Sequence, residues 1–138
     1  MKKILGLCFL LASFGIEAAS NVVFLCDVKG GKQVKITKIG DYYQYSFGKP
    51  NNPELVFRNS KAQVIKQSPR WDGMGSHMWA GMLFKNGAYE YHVTDSIDRM
   101  NEEHAVHSGV TVSKGDTYLT YVQCVNEAQA KWDDEFMI

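Results

Sequence analysis

Several clusters in this chain have the side chains to do chemistry. Ser76 and His77 are neighbours, and His104 and His107 are three apart with Glu102 and Glu103 just before them. Cys26 and Cys124 stand far apart in sequence, while Arg70, Trp71, Asp72, Met74, Ser76 and His77 crowd one short glycine-containing stretch. A nucleophilic triad needs a base held against its nucleophile and oriented by a third group, and sequence adjacency of Ser76 and His77 does not supply that. No G-x-S-x-G or H-E-x-x-H run is present. Glycosidase carboxylate pairs are defined by separation in space, so the scattered acids point to no particular pair. The chain is therefore not read as an enzyme. The spacing of His104 and His107 suits one helical face, but a zinc site usually needs a third protein ligand, and His77 and His92 are remote in sequence. Neither a metal nor a cofactor is expected.

The stretch Arg70-Trp71-Asp72-Gly73-Met74-Gly75-Ser76-His77-Met78-Trp79 reads instead as a contact loop. Its glycines permit a tight backbone path. Arg, Trp and Met are enriched in protein interfaces. Met74, between two glycines, is hard to explain as core. Trp71 and Trp79 read equally well as side chains folded back onto the body, and Trp79 lies in a strand candidate. Arg70, Trp71, Asp72, Met74, Ser76 and His77 are taken as the partner-binding residues. A second segment, Asp95 to His107, is polar enough for one helical turn and offers Asp98, Arg99, Glu102, Glu103 and His104 as a rival contact.

The compartment follows from the first residues. Lys2 and Lys3 precede an apolar run from Ile4 to Ile16, too short to span a bilayer by itself, and Ala18, Ala19 and Ser20 are small enough for cleavage. Residues 1–20 thus read as a secretory signal and 21–138 as one domain, in the periplasm or outside the cell. Cys8 leaves with the signal, and in an oxidising compartment the remaining pair, Cys26 and Cys124, is expected to bond. No CxxC spacing favours the alternative of a metal or redox pair. No second apolar stretch could cross a membrane. The chain has 15 basic and 15 acidic residues, and removing the signal leaves 13 and 14. That balance argues against a polyanion such as nucleic acid as the main partner, since phosphate binding is driven by clustered Lys and Arg.

The elements that position these residues have a period of two. Phe24, Cys26 and Val28 alternate with Val23, Leu25 and Asp27; similar alternation runs through Val34–Thr37, Tyr42–Phe47, Tyr89–Thr94 and Tyr118–Cys124. Glu54–Phe57, Gln63–Lys66, Met78–Phe84 and Gly109–Ser113 are further strand candidates. Turn signals separate them: Gly30-Gly31, Gly40-Asp41, a longer loop from Gly48 to Pro53, Asn86-Gly87 and Gly115-Asp116. The tail after Asn126 is acidic and reads as a short helix or a frayed end. An all-β domain results, a compact antiparallel barrel or sandwich of about eight or nine strands with one disulfide joining its terminal strands. Adjacent Tyr42 and Tyr43 must face opposite ways, and Tyr118 and Tyr121 are expected to do the same.

The run Cys26–Lys32, the strand Asp41–Gly48, the segment Trp71–Trp79 and the hairpin Phe84–Tyr91 resemble small secreted proteins of Gram-negative bacteria. More narrowly, the chain resembles periplasmic immunity proteins for the muramidase extension of a VgrG-type type VI secretion spike. The resemblance implies a protein that binds its cognate muramidase effector and plugs the catalytic cleft. Periplasmic inhibitors of c-type lysozyme are a related class of small disulfide-linked β-barrels, but Ser108-Gly109 and Ser113-Lys114-Gly115 only echo their loops. A periplasmic module binding glycan or another envelope protein is the alternative, and a homodimer stays open.

Overall fold

The computed structural model describes residues 21–137. The signal reading of residues 1–20 lies outside the described residues. Nine strands form two antiparallel sheets that face each other as a sandwich and do not close into a barrel. The first sheet runs β1 (Asn21–Val28), β2 (Lys32–Ile39), β3 (Tyr42–Lys49) and β4 (Asn52–Ser60), and ends beyond β1 on the two-residue β9 (Gln129–Ala130), in the order β4-β3-β2-β1-β9. The second holds β5 (His77–Asn86), β6 (Tyr89–Asp98), β7 (Val106–Lys114) and β8 (Thr117–Gln123) in sequence order. Every neighbouring pair within β1–β4 and β5–β8 is a hairpin, and a turn signal marked each of them except the β6–β7 connection.

Alternation fills the core. Phe24, Cys26, Val28, Val34, Ile36, Tyr43 and Tyr45 of the first sheet meet Met82, Phe84, Val93 and Val110 of the second, all buried. At one end Tyr45, Phe57, Phe84 and Tyr91 interlock, with ring centroids 5.1 Å apart for both Tyr45–Phe57 and Tyr45–Tyr91. Burial drives the pKa of the Tyr45 phenol up. The loop expected from Gly48 to Pro53 is tighter than its composition suggests, because Lys49 pairs with Asn52 around Pro50-Asn51. Gly48 sits at the accompanying irregularity with φ 136°, where a Cβ would stand 2.5 Å from the Glu54 amide nitrogen, so no other residue fits.

Three segments differ from the sequence reading. Gln63–Lys66 is not a strand but part of α1 (Lys61–Gln67). Ser60 caps it by accepting the Gln63 amide at 3.1 Å, and Val64 is its buried anchor. Four residues of alternation are too few to separate a period of two from one of 3.6, and Lys61-Ala62-Gln63 are good helix formers. Asp95–His107 contains no helical turn: β6 continues to Asp98, β7 begins at Val106, and a turn joins them. Tyr118 and Tyr121 do not face opposite ways. An extra residue in β8 lets Val112 pair with Thr120 while Ser113 pairs with Tyr118, so Tyr118 and Tyr121 lie opposite Ser113 and Thr111 on one outer face.

The tail is docked rather than frayed. β9 pairs with β1, and the Lys131 amide donates to the Val23 carbonyl at 2.7 Å. Trp132 packs on Phe24 with centroids 5.6 Å apart, and Phe136, in a single 3-10 turn, meets Tyr43 edge-on at 5.8 Å. The Cys26–Cys124 disulfide, with Cα atoms 5.6 Å apart, ties β1 to the residue just after β8. Beside it Val28 bridges Cys124, and the Val125 amide donates to the Asp27 carbonyl at 2.8 Å. The two sheets are thus fastened at this corner. Among the described residues no helix is long and apolar enough to cross a membrane.

Candidate functional site

Antiparallel pairing of β5 with β6 sets the site. His77 opens β5 opposite Asp98 at the end of β6. The glycine loop that enters β5 therefore lies beside the turn that leaves β6. The two segments read from sequence as rivals form one surface at one end of the second sheet.

Arg99 fastens them. Its Nε donates to the Gly75 carbonyl at 2.9 Å, its amide donates to the Ser76 carbonyl at 2.9 Å, and its guanidinium lies 5.2 Å from the centre of the Trp71 ring. The loop also braces itself. The Met74 amide donates to Asp72 Oδ1 at 2.9 Å, and Trp71 Nε1 donates to the Met74 carbonyl at 3.0 Å. Gly73 and Gly75 take φ of 84° and 89°, which only glycine adopts freely. These bonds occupy the backbone and leave the Met74 side chain 73% exposed at the tip. Ser76 Oγ is 3.0 Å from His77 Nδ1, and His77 Nε2 is 4.0 Å from Asp98 Oδ2, an ion pair when the imidazole is protonated.

The β6–β7 turn is built from the same device. Asp98 Oδ1 accepts the Met100 amide at 3.0 Å, and Asn101 Oδ1 accepts the Glu103 amide at 2.9 Å. These Asx turns satisfy the amides that a helical turn would have used, which is why none forms. His104 takes φ 47° and its Nδ1 lies 3.3 Å from the Asp98 carbonyl, whereas His107 is on β7 paired with Ser96. The pair does not share a helical face. Among the described residues no three His, Cys, Asp or Glu side chains converge as metal ligands. Glu102 and Glu103 are exposed on the turn, and Arg70 is exposed before the loop.

One contributor escaped the sequence reading. Met100 is 77% exposed, the counterpart of Met74 on the neighbouring turn. Its flank by Arg99 and Asn101 was the available signal. Trp79 belongs to neither core nor loop. It lies on the outer face of β5, edge-on to His92 with centroids 5.5 Å apart. The His92 ring leans toward Gly81, where a Cβ would come within 3.2 Å of its Nε2, and burial holds its pKa below the ordinary histidine value.

The site can present two flexible thioethers, a stacked Arg–Trp pair and charges of both signs on a braced backbone. Comparison with protein-family models, curated proteins and solved structures found no match to this chain.

Proposed function

We propose that this chain is a secreted periplasmic immunity protein that binds a peptidoglycan-cleaving muramidase effector and occludes its cleft, without catalysis of its own. The observation that carries the reading is the exposed Met74 on a braced loop that Arg99 ties to the turn carrying exposed Met100. A side chain that large and that exposed, on a backbone so firmly held, contributes little to folding. Bracing lowers the ordering cost of binding, and methionine adapts to the shape it meets. A muramidase cleft is concave and carries a catalytic acid. Met74 and Trp71 suit its sugar subsites, while Arg70, Ser76 or His77 suits a carboxylate. Asp98, Arg99, Glu102, Glu103 and His104 then form the polar rim of the same contact. The disulfide agrees with an oxidising compartment.

The test is titration of the cognate muramidase with the purified protein while peptidoglycan release is followed. Inhibition should be complete at equimolar protein, and Met74→Ala or His77→Ala should weaken it by about 1–3 kcal/mol. Full muramidase activity in excess protein sinks the reading. Loss confined to Asp98, Arg99, Glu102, Glu103 and His104 variants would move the contact onto the β6–β7 turn.

A further inference from the structure

One row across the inner face of the second sheet breaks its pattern. Pairing aligns Met82 with Val93 and Val110, and Met78 with Ile97 and Val106. Between those two apolar rows lies Ala80–Asp95–Ser108, three small side chains, one of them an acid. A carboxylate at a core-facing strand position costs stability, and such breaks in pattern mark functional sites. The small row leaves a hollow of about 190 Å³ between the second sheet and the tail. The sheet lines it with Met78, Ala80, Asp95 and Ile97, and the tail with Trp132 and Met137. Ile97 and Met137 are exposed, so the hollow is reached from the surface.

Asp95 has capacity to spare. The buried Ser108 hydroxyl donates to its Oδ1. No lysine, arginine or histidine pairs with Asp95 among the described residues. An unpaired carboxylate in an otherwise apolar lining calls for a cation on an apolar stem. The hollow is smaller than the roughly 300–1,000 Å³ of small-molecule sites, so it suits one side chain and not a cofactor. With Oδ1 held by Ser108, the two-oxygen fork that a guanidinium prefers is compromised, and the point charge of an ammonium suits Oδ2.

We propose that this hollow receives a lysine side chain of the bound muramidase, its ammonium paired with Asp95 and its methylenes against Met78, Ile97 and Trp132. The lysine's owner rests on the immunity reading above; the chemistry of the hollow does not. Position supports the assignment. Met78 and Ile97 pair one step in from His77 and Asp98, and side chains alternate along a strand, so the first pair faces the hollow and the second faces outward. The hollow thus lies directly behind the end of the sheet that carries the contact surface. Ser108 already orients the carboxylate, so little freedom is lost when the ammonium arrives.

The probe is n-butylammonium chloride, a lysine side chain without its backbone, titrated into the purified protein while methionine methyl signals are followed by NMR. The Met78 and Met137 methyls should shift saturably, and those of Met74 and Met100 should not. Equal n-butanol or sodium chloride should give no saturable shift. Asp95→Asn keeps an acceptor for Ser108 and removes the charge. It should abolish the shifts and weaken inhibition of the muramidase by about tenfold or more at unchanged melting. Should that variant melt lower, Ala80→Leu, which fills the hollow and keeps the carboxylate, should cause the same two losses. No saturable shift with n-butylammonium overturns the proposal, and so does an equal shift with n-butanol. Shifts lost in Asp95→Asn with inhibition untouched also overturn it, because the hollow then takes a free amine and not the partner's lysine. A wild type that inhibits no muramidase overturns the immunity reading and the lysine's owner with it. The two failures are told apart because the methyl shifts are measured without muramidase.

Discussion

The dipeptide Trp-Asp occurs twice in this chain, and its two settings differ in what each tryptophan and aspartate holds. In the tail, Trp132 packs on Phe24, and Asp133 accepts hydrogen bonds from the Tyr43 hydroxyl and from Lys38 Nζ, the latter at 3.2 Å. In the loop, Trp71 stacks under Arg99 and donates to the Met74 carbonyl, and Asp72 accepts the Met74 amide. The tail is tied to the core and the loop largely to itself. A segment bound to the core spends its side chains on stability. A segment braced by local polar bonds keeps its tip available to a partner.

The contrast breaks hardest at the base of the tail. Cys124 follows β8 just before the tail begins, and its bond to Cys26 spans a separation of 98 residues. In the chain-entropy model that closure is worth about 4 to 5 kcal/mol. Cys26→Ser with Cys124→Ser should lose that much in denaturant unfolding, and a loss under about 1 kcal/mol would show that the tail and the hydrogen bonds at the Val28–Cys124 corner suffice.

Next in size is Asp133 set against Asp72. Asp133→Ala leaves the buried Tyr43 hydroxyl without its acceptor, at a cost of about 1–3 kcal/mol. Burial pushes the Asp133 carboxyl up, but the hydrogen bonds from Tyr43 and Lys38 and the charges of Lys38 and Lys61 outweigh it, so its pKa lies below the ordinary aspartate value. The contribution linked to that shift is therefore complete above about pH 4 and is lost as pH falls through the folded-state value. Asp133→Asn should flatten the acid side of the stability curve. Equal acid sensitivity in wild type and Asp133→Asn would dissociate this carboxylate from acid unfolding.

The smallest effect belongs to the loop. Asp72→Ala and Met74→Ala should change unfolding free energy by no more than about 0.5 kcal/mol, because both sites are exposed and away from the core. A loss beyond about 1 kcal/mol at Met74 would make the loop structural and erase the contrast.

The period of two, the turn residues and the paired cysteines were legible in sequence because strand alternation, positive-φ turns and thiol pairing are local or compositional. The strands around Phe24, Val34, Tyr43, Tyr91 and Val110 and the Cys26–Cys124 bond all follow from them. Gln63–Lys66 was misread because its apolar residues were too few to show their period. The separation of Tyr118 from Tyr121 was misread because a bulge adds a residue that alternation cannot count. The candidate site was legible only in pieces. Composition marked Arg70–His77 and Asp98–His104, but nothing along the chain joins Gly75 or Ser76 to Arg99.

What the sequence by itself determined is the kind of structure: strands, their turns, the covalent clasp and a glycine loop carrying Arg, Trp and Met. Tertiary structure decided which edges are covered and which surfaces coincide. Antiparallel register alone set His77 against Asp98, merging two distant segments into one face. Long-range hydrogen bonds from Asn59, Gln67 and Ser68 closed one edge of the second sheet, and no such bonds among the described residues close the other. Those outcomes depend on residues far apart in the chain meeting in space, and local propensity carries no information about such meetings.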